Sequence, residues 1–584
     1  MKNLEVWAPK AKQMHLLLQG KKHPLKKNLH DLWVFEHPFV HGTEYSFFVD
    51  EEGPYPDPRS LSQPLGVHGP SCWIDHSQYH WKDHHFKPTP LSGAVIYELH
   101  IGTYTKEGTF QSLAEKLDHL FNLGITHLEL MPVNGFSGKR GWGYDGVNLY
   151  SVYEPYGGST AFKQFVDQCH HKGLNVILDV VYNHLGSEGN YLSKFAPYFK
   201  EHSNTPWGSS INFDEAESDF VRRFFIENAL MWFRDYHIDA LRLDATHAII
   251  DQSATHFLEQ LATEVRALSK VLRKPLSLIA ESDLNDPRLI NPTKVGGYGL
   301  DAQWNDDFHH SLHALLTKEK KGYYQDFGQF EQLLKVLTKA FAYDGNYSPS
   351  RKRHHGRSPL VHANGHNFIT YIQNHDQIGN RVLGDRFTHL LSIDKIKIAS
   401  ALLLCSPFIP MLFQGEEWMA SSPFLYFTDH QDPSLGQAAK EGRQREFAAF
   451  GWRPEEIADP QAEETFAKSK LQWEELKEKK HAEIFEWYRT LIQLRKSLPE
   501  LYDGDLKKIT LTHNTQQQWL IIERGQLLLT TNLSSTPISV PFAHSSISPL
   551  LLSSPEINCS STTLFLPGET VGIWCYKSLV EGAN

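Results

Sequence analysis

The sequence predicts an α/β protein in which a (β/α)₈ barrel lies between two β-sandwich domains. Three observations support this: the chain has 584 residues, its middle alternates strand-like runs with helical patterns, and both ends contain short alternating strands. Such a length exceeds one ordinary core but accommodates a large barrel with two smaller modules. We expect an N-terminal domain over residues 1–85, the barrel over 86–498 and a C-terminal domain over 499–584.

Short strands separated by turn residues indicate the N-terminal domain. Apolar and polar positions alternate in LEVWAP, MHLLLQ, LWVFEH and YSFFVD, all before about Asp75. This pattern is typical of sheets that bury one face, so we expect a β-sandwich of the immunoglobulin-like type. The Pro-rich stretch from Pro54 to Pro70 should be an extended linker, because proline donates no hydrogen bond to a sheet.

Eight apolar runs predict the barrel strands. After Gly93 they are, in order, AVIYELH, THLELMP, NVILDVVYNH, IDALRLD, LSLIAES, LDAQW, NFITYIQNHD and FIPMLFQGEE. Helical spacing separates them, as in FQSLAEKLDHLFNLG and FVRRFFIENALMWFRDY, and this alternation predicts a (β/α)₈ TIM barrel. Gly124 and Gly173 are expected to end helices before the second and third strands.

Two further segments complete the predicted organisation. A long connection over about residues 184–214 interrupts the third β/α unit and is expected to form a short subdomain over the barrel mouth. From about Tyr502 onward, ITLTHN, WLIIER, LLLTTNL, ISVPF and VGIWCY return to short strands, which predicts the C-terminal β-sandwich.

Composition narrows the possible partners and location. The net charge of −11, without a long basic run, argues against nucleic-acid binding. Five scattered cysteines lack a CxxC pair, which disfavours disulfide frameworks and zinc clusters; they are Cys72, Cys169, Cys405, Cys559 and Cys575. The N-terminus lacks an apolar signal segment and no apolar run approaches the ~20 residues of a membrane span. We expect a cytoplasmic protein without membrane partner, metal or cofactor, either monomer or homodimer.

Acidic residues at the ends of three predicted strands are the candidate catalytic groups. They are Asp244 in IDALRLDATH, Glu281 in LSLIAESD and Asp376 in FITYIQNHDQ. In a parallel barrel, the C-terminal strand ends converge on one mouth, so these residues can meet over one substrate bond. A nucleophilic carboxylate paired with a carboxylic acid is the arrangement that retaining glycoside cleavage requires.

Arg242 lies two residues before Asp244, so the two side chains should share one side of the strand. The guanidinium would keep Asp244 ionised and available as a nucleophile. Glu281, near anionic neighbours, would hold a proton that it can deliver to a leaving oxygen. The structural alternatives are that Asp244 only caps the following helix and that Glu281 is a surface residue of a loop.

Several polar and aromatic residues beside these acids are candidate substrate-binding groups. His375 in QNHDQ, Tyr144 and Asp145 in GWGYDG, His184 in DVVYNH and His247 in ALRLDATH are suited to sugar hydroxyls or sugar faces. After the sixth strand we expect Trp304, Asp306 and His309 to bind substrate as well. Each aromatic or histidine, taken alone, has packing as its simpler explanation.

Two weaker patterns leave alternatives open. His309 and His313 are four residues apart on a probable helix, which permits metal ligation, but no third ligand is obvious and a substrate-edge or capping role is simpler. The basic segment SPSRKRHHGRSP, Ser348 to Pro359, is interpreted as a solvated loop, with a place at the edge of the cleft as the alternative.

Four segments at the predicted strand ends resemble those of a known family. DVVYNH, ALRLDATH, AESD and QNHDQ, on strands three, four, five and seven, resemble the four conserved regions of the α-amylase superfamily. Within it, LDAQWNDDFHHSLH, GYYQDFG, FIPMLFQGEEW and SPFLYFTDH are similar to the malto-oligosyltrehalose trehalohydrolase family. The N-terminal segments VWAPKAKQMHLLL and YPDPRSLSQPLGVHGPS resemble it too, so the similarity covers nearly the full chain.

This resemblance implies hydrolysis of the α-1,4 bond beside the terminal trehalose of maltooligosyl trehalose, releasing trehalose. It assigns Asp244 as nucleophile, Glu281 as general acid/base and Asp376 as transition-state stabiliser. Retention of configuration is expected, with the two main carboxyl groups about 5–5.5 Å apart. No structural calcium is expected, since the connection over the mouth lacks an acidic cluster.

Other functions remain compatible with parts of this pattern. A 1,4-α-glucan branching enzyme would share the domains and the trio but transfer the glycosyl group to a sugar hydroxyl instead of water; WNDDFHHSLH and FLYFTDH favour hydrolysis. Debranching is a further alternative. A non-catalytic glycan-binding protein would require a broken catalytic set, whereas all members are present here.

Overall fold

Eight parallel strands close into a barrel at the centre of the molecule. The computed structural model describes residues 4–205, 208–359, 363–448, 452–542, 547–560 and 562–576. The barrel strands are, in order, Ile96–Leu99, His127–Leu130, Asn175–Val180, Ala240–Leu243, Ser277–Ala280, Ala302–Trp304, Phe368–Thr370 and Ile409–Phe413. Each pairs with the next, and the eighth pairs with the first. The predicted fold class is confirmed, and all eight apolar runs form barrel strands.

Alternation along these strands separates an inner from an outer core. Inward side chains such as Ile96, Ile177, Ile279 and Ile369 fill the barrel, whereas intervening residues pack against the helices. The α-helices of the chain are Ile101–Tyr104, Phe110–Ala114, Leu117–Leu123, Gly158–His171, Leu192–Phe195, Ser218–Asp235, Phe257–Leu272, Asp306–Thr317, Phe330–Lys339, His375–Gly379, Phe387–Leu390, Ile393–Leu404, Pro433–Ala448, Glu463–Lys468, Lys479–Ser497 and Pro499–Tyr502.

Glycine ends two of these helices, as the sequence predicts. Gly124 adopts φ 101° and donates its N–H to Leu120 and Phe121 carbonyls, and Gly173 adopts φ 77° after the next long helix. These left-handed conformations favour glycine and let the chain turn directly into a strand.

Two antiparallel sheets form the N-terminal module. One contains Leu4–Trp7, Leu32–Phe35 and Lys26–Lys27; the other contains Lys21–Pro24, Met14–Leu18, Glu44–Val49, Glu52–Tyr55 and Ser71–Cys72. Met14 and Leu16 are buried while His15 and Leu17 are partly exposed. Met14 and Leu16 therefore lie on the face of the strand that packs in the core. Trp7 stacks on Phe220 of a barrel helix, with ring centroids 4.9 Å apart, and joins the module to the barrel.

The C-terminal module also has two sheets. Its larger sheet orders Ile509–Asn514, Trp519–Arg524, Leu527–Asn532, Thr570–Tyr576 and Ile547–Leu552, and its smaller sheet orders Ile538–Pro541, Thr563–Leu566 and Asn558–Cys559. Leu528, Val540, Leu564 and Trp574 form a core between them. The exact domain boundaries stay predictions.

Among the described residues, three short strand pairs lie in the connections between barrel strands. They are Asn134–Gly135 with Asn148–Val152, Phe199–Thr205 with Gly208–Ile211, and Tyr347–Ser348 with Arg353–His354. The second pair, together with the helix Leu192–Phe195, lies in the connection expected over the mouth. Within the described ranges, we find no helix with the length and apolar character needed to cross a bilayer.

Candidate active site

The three candidate catalytic acids lie at the C-terminal ends of barrel strands. Asp244 and Glu281 directly follow the fourth and fifth strands, and Asp376 lies in the short helix His375–Gly379 after the seventh. Their side chains are 14%, 16% and 46% exposed, respectively. The trio therefore opens to solvent at a mouth above an otherwise closed barrel core.

Arg242 connects the acids. Its Nη1 donates to Asp244 Oδ1 at 2.7 Å and to both Asp179 oxygens at 2.9 and 2.8 Å. Its Nη2 lies 3.9 Å from Glu281 Oε2. The guanidinium is fully buried and lies over the Trp304 ring, 4.3 Å from the centroid. One cation thus contacts the candidate nucleophile and approaches the candidate acid. The contact with Asp244 is the one expected for two side chains on the same side of a strand.

Asp244 is held as an anion. Burial opposes its ionisation, but the charges of Arg242 and His184, together with hydrogen bonds, outweigh burial and lower its pKa below the ordinary value. Asn183 Nδ2 donates to Asp244 Oδ2 at 2.7 Å. Both carboxylate oxygens are therefore oriented by donors.

Glu281 has the opposite protonation preference. Burial raises its pKa well above the ordinary value despite Arg242, and the nearby Asp244, Asp376 and Asp306 raise it further. The backbone N–H of Ala245 donates to Glu281 Oε2 at 2.5 Å. Ala245 itself has φ 38°, in the left-handed region that non-glycine residues rarely adopt. Glu281 can hold a proton at neutral pH while Asp244 stays charged.

A hydrogen-bonded chain joins His375 to Asp179. His375 Nδ1 lies 2.5 Å from Glu98 Oε1, and its Nε2 lies 2.8 Å from Tyr144 OH. Because Tyr144 gives its single proton to Asp179 Oδ2 at 2.6 Å, it must accept from Nε2–H. Burial lowers the pKa of His375, but Asp376 and Glu98 outweigh it and raise the pKa to about 9. His375 is thus an imidazolium at neutral pH.

The remaining candidates, which follow the second, third and fourth barrel strands, differ in position. His184 is buried and contacts Asn183 Oδ1 at 2.5 Å and the Tyr144 carbonyl at 3.1 Å, so it supports residues that face the mouth. Asp145 is half-buried beside Tyr144, and His247 is exposed after the fourth strand.

Of the three residues expected after the sixth strand, Asp306 faces the mouth. It is partly exposed and accepts a hydrogen bond from Tyr371 OH at 2.5 Å. Trp304 is 3% exposed beneath Arg242, and His309 is 1% exposed, with ring nitrogens 2.7 Å from the Ile372 carbonyl and 2.7 Å from Tyr324 OH. Trp304 and His309 therefore lie behind the mouth, where they support its wall.

The two patterns with open alternatives can be placed in the structure. Both His309 nitrogens are hydrogen-bonded, and His313 Nε2 lies 2.9 Å from Glu319 Oε2, whereas His313 Nδ1 is buried without a hydrogen-bond partner among the described residues. Half of the basic segment is exposed, but Arg351 Nη1 lies 3.0 Å from Asp283 Oδ2, two residues after Glu281. The segment therefore lies at the edge of the cleft, the alternative to a purely solvated loop.

Sequence reasoning did not single out Glu98, Asp179, Asn183 or Trp142. Glu98 and Asp179 are acids inside apolar strand runs, and this unusual pattern was an available signal. Trp142 had no such signal, because its place depends on a distant segment. Its Nε1 donates to the Leu425 carbonyl at 3.0 Å, and its ring lies 5.4 Å from His375, edge to face.

The FLYFTDH segment packs behind Trp142 and the residues at the mouth. Phe424 stacks on Trp142 with centroids 5.2 Å apart, and Phe427 belongs to the same buried cluster. Asp429 accepts from the Lys139 backbone N–H at 2.7 Å. The segment thus holds the loop that carries Trp142 and Tyr144 against the mouth.

Comparisons with known proteins identify relatives of this chain. Residues 84–210 match the family model described as the alpha amylase catalytic domain. The malto-oligosyltrehalose trehalohydrolase of Arthrobacter ramosus is 45% identical over 573 residues, covering 97% of this chain and 98% of that protein. The one of Saccharolobus solfataricus is 48% identical over 455 residues, covering 78% of each chain.

A branching enzyme and a solved structure complete the comparison. The 1,4-alpha-glucan branching enzyme of Bacillus caldolyticus is 33% identical over 340 residues, but covers 51% of this chain and 50% of that enzyme. The crystal structure of a Salmonella typhimurium protein assigned as an alpha amylase has a TM-score of 0.90 and 36% identity, covering 98% of this chain and 97% of that protein.

Proposed function

The chain belongs to the malto-oligosyltrehalose trehalohydrolase family, and from this premise we propose that Asp244, Glu281 and Asp376 catalyse its reaction with retention of configuration. The protein is a glycoside hydrolase of the α-amylase superfamily that releases trehalose from maltooligosyl trehalose. The observation that carries the residue assignment is the opposite protonation preference of Asp244 and Glu281 beside one guanidinium.

The first half-reaction forms a glycosyl-enzyme. The Asp244 carboxylate attacks the anomeric carbon of the glucose beside the trehalose unit, while Glu281 gives its proton to the departing glycosidic oxygen. The carbon–oxygen bond breaks and trehalose leaves. Arg242 keeps Asp244 ionised for this attack, and the low exposure of Glu281 keeps its acid form available.

The second half-reaction returns the enzyme to its starting state. Glu281, now a carboxylate, takes a proton from a water molecule that attacks the same anomeric carbon, and Asp244 leaves with the bonding electrons. Two inversions at one carbon give net retention. Asp376, 46% exposed at the mouth, would stabilise the positive charge that develops on the sugar ring.

Neighbouring residues would bind or support the reacting sugar. Tyr144 is partly exposed and suits a sugar face or hydroxyl, and Asp306 offers a carboxyl at the same mouth. His375, which the sequence predicts to bind sugar, is 1% exposed with Glu98 and Tyr144 at its two ring nitrogens, so we assign it the role of orienting Tyr144. Asp145 and His247 are assigned to the wider binding surface. We assign supporting roles to His184, Trp304 and His309, since each is buried behind these groups.

We also propose a cytoplasmic location and domain boundaries near residues 85 and 498. Five free cysteines, three of them buried, support a reducing compartment. The linear maltooligosaccharide with a trehalose end is the partner that the family implies. Monomer and homodimer both fit the chain.

Product analysis tests the proposal. The parent is incubated separately with maltotriosyl trehalose and amylose, alongside Glu281→Gln and the surface control Glu474→Gln, whose side chain is 83% exposed. We expect trehalose from the first substrate only, parent-like rates for the control, and a loss of roughly 10²-fold or more for Glu281→Gln. Branch points in amylose without trehalose would indicate a branching enzyme, and full activity of Glu281→Gln would refute the acid assignment.

A further inference from the structure

A buried carboxyl group that the mechanism does not use faces the inside of the barrel. Glu129 lies in the second barrel strand, His127–Leu130, and is 1% exposed. Its neighbours Leu128 and Leu130 pack in the outer core, so alternation directs Glu129 inward. Strand register aligns it with Glu98 and with Ile177, and Ile177 belongs to the barrel interior.

Neither oxygen of Glu129 has a hydrogen-bond partner among the described residues. The same holds for Arg242 Nε and Nη2, which are also buried. A buried polar atom without a partner is costly, and native interiors commonly satisfy such groups with bound water. A carboxyl group and an N–H group can share a bound water, because water both donates and accepts hydrogen bonds.

Charges around Glu129 come from several barrel strands. Its carboxyl is influenced by Glu98 on the first strand, Asp179 on the third, Arg242 on the fourth and His375 after the seventh. Glu98 is already paired with His375, and Arg242 is already paired with Asp179 and Asp244. An ionised Glu129 would therefore be an anion without a counterion, and burial with Glu98 nearby raises its pKa well above the ordinary value.

We propose that Glu129 is a positioning residue of the reaction, which through an internal water holds the Arg242 guanidinium in the orientation that places Nη1 between Asp179 and Asp244. This role rests on the proposed function of Asp244 as nucleophile. Because Glu129 is uncharged, it fixes the guanidinium without competing with Asp244 for its charge.

The proposal predicts different effects for two substitutions. Glu129→Gln keeps a neutral donor and acceptor of the same shape, so kcat and its pH profile should stay close to the parent's. Glu129→Leu removes both functions and releases the guanidinium. We expect kcat to fall by about tenfold or more with little change in KM. Since Arg242 lowers the pKa of Asp244, the acid limb of the Glu129→Leu profile should move to higher pH.

Thr370→Val is the matched control. Thr370 is also buried with an unpartnered hydroxyl, but it follows the inward Ile369 on the seventh strand and therefore faces outward. It should alter stability without moving the acid limb. A Glu129→Leu variant whose acid limb coincides with the parent's, or a Glu129→Gln variant as impaired as Glu129→Leu, would overturn the proposal. Glu129→Met replaces Glu129→Leu if the latter does not fold.

A spectroscopic readout is independent of activity. Difference infrared spectra between the parent and Glu129→Gln at neutral pH should show the carbonyl band of a protonated carboxylic acid in the parent only. A carboxylate band instead would show that Glu129 is ionised and refute the neutral-acid role. If Glu281→Gln retained full activity while this band was present, the catalytic assignment would fail and the charge state of Glu129 would stand.

Discussion

Distances at Arg242 explain how two adjacent carboxyl groups acquire opposite protonation preferences. Asp244 accepts directly from Nη1 at 2.7 Å, whereas Glu281 is 3.9 Å from Nη2. The direct hydrogen bond and charge lower the pKa of Asp244 against burial, but the weaker contact leaves burial dominant at Glu281. Arg242 lies in one strand, Asp244 comes two residues later at the end of that strand, and Glu281 directly follows the next strand. This spacing places one guanidinium against a nucleophile and near an acid.

Asp306 should make stability depend on pH. Burial raises its pKa to about 7, and Asp283 and Asp376 contribute, although the Tyr371 hydrogen bond opposes the shift. The unfolded carboxyl titrates near 3.9, so between roughly pH 4 and 7 the folded state binds more protons. The contribution of Asp306 to the free energy of unfolding is therefore lost as pH rises through that window.

Asp306→Asn removes this ionisation while it keeps an acceptor for Tyr371. Relative to the parent, the variant should gain roughly 2–4 °C in Tm at pH 8, with a smaller gain or none at pH 4. Thermal unfolding monitored by circular dichroism at both pH values checks this. A difference in Tm that is equal at the two pH values would contradict the assigned shift.

At the scale of elements, the helix His375–Gly379 is fixed by contact with Trp142. A Cβ on Gly379 would lie 2.1 Å from the Trp142 ring, far inside van der Waals contact. The same ring packs edge to face on His375 and stacks on Phe424. The absence of a side chain at Gly379 thus permits the packing that orients both His375 and Asp376.

Gly379→Ala should therefore displace Trp142 or the helix. We expect kcat/KM to fall by about tenfold or more, because a displacement of about 1 Å at a catalytic group costs on the order of 10²-fold in rate. Steady-state kinetics on maltooligosyl trehalose, with far-ultraviolet circular dichroism to verify folding, measures this.

Gly442→Ala provides the comparison for Gly379→Ala. Gly442 lies in the helix Pro433–Ala448, where an added Cβ meets nothing within 4 Å. Alanine should keep activity and stabilise that helix by about 0.5–1 kcal/mol. If both glycine variants behaved alike, the Trp142 contact would have no special role.

The sequence predicts elements better than it predicts the layer behind the site. All eight barrel strands are identifiable because each is a short apolar run bounded by helical spacing. Asp244 and Glu281 follow two of them directly, and Asp376 lies in the short helix after a third. The burial of Trp304 and His309 was not predictable, since nearness to a strand end does not determine which way a side chain points. Trp142 required knowledge of the contact with Leu425, 283 residues away.

At the scale of the whole molecule, the buried Arg524 attaches the C-terminal module to the barrel, and Arg495 of a barrel helix contacts the same region. Arg524 Nη1, from the strand Trp519–Arg524, donates to the Cys405 carbonyl at 2.8 Å and to the Leu501 carbonyl at 3.2 Å; Nη2 donates to the Asp503 carbonyl. Arg495 Nη1 donates to the Leu404 and Ser406 carbonyls at 2.8 and 2.9 Å. Carbonyls that end a barrel helix are thereby satisfied by a neighbouring helix and a distant sheet.

Arg524→Ala should weaken this attachment. Two buried carbonyls and one partly buried carbonyl would lose a donor, and we expect stability to fall on the order of 3 kcal/mol. Differential scanning calorimetry should record a lower Tm, while kcat at a temperature well below unfolding stays near the parent's, because Arg524 does not line the barrel mouth. The exposed Arg453→Ala, with a side chain 68% exposed, should leave Tm unchanged.

Arg524→Lys separates charge from geometry at this junction. Lysine keeps a cation but offers one nitrogen, which cannot reach three carbonyls that a planar guanidinium contacts together. Its Tm should therefore lie between those of the parent and Arg524→Ala. A lysine variant as stable as the parent would mean that the positive charge alone attaches the module, and equal Tm values for lysine and alanine would mean that the full set of hydrogen bonds is required.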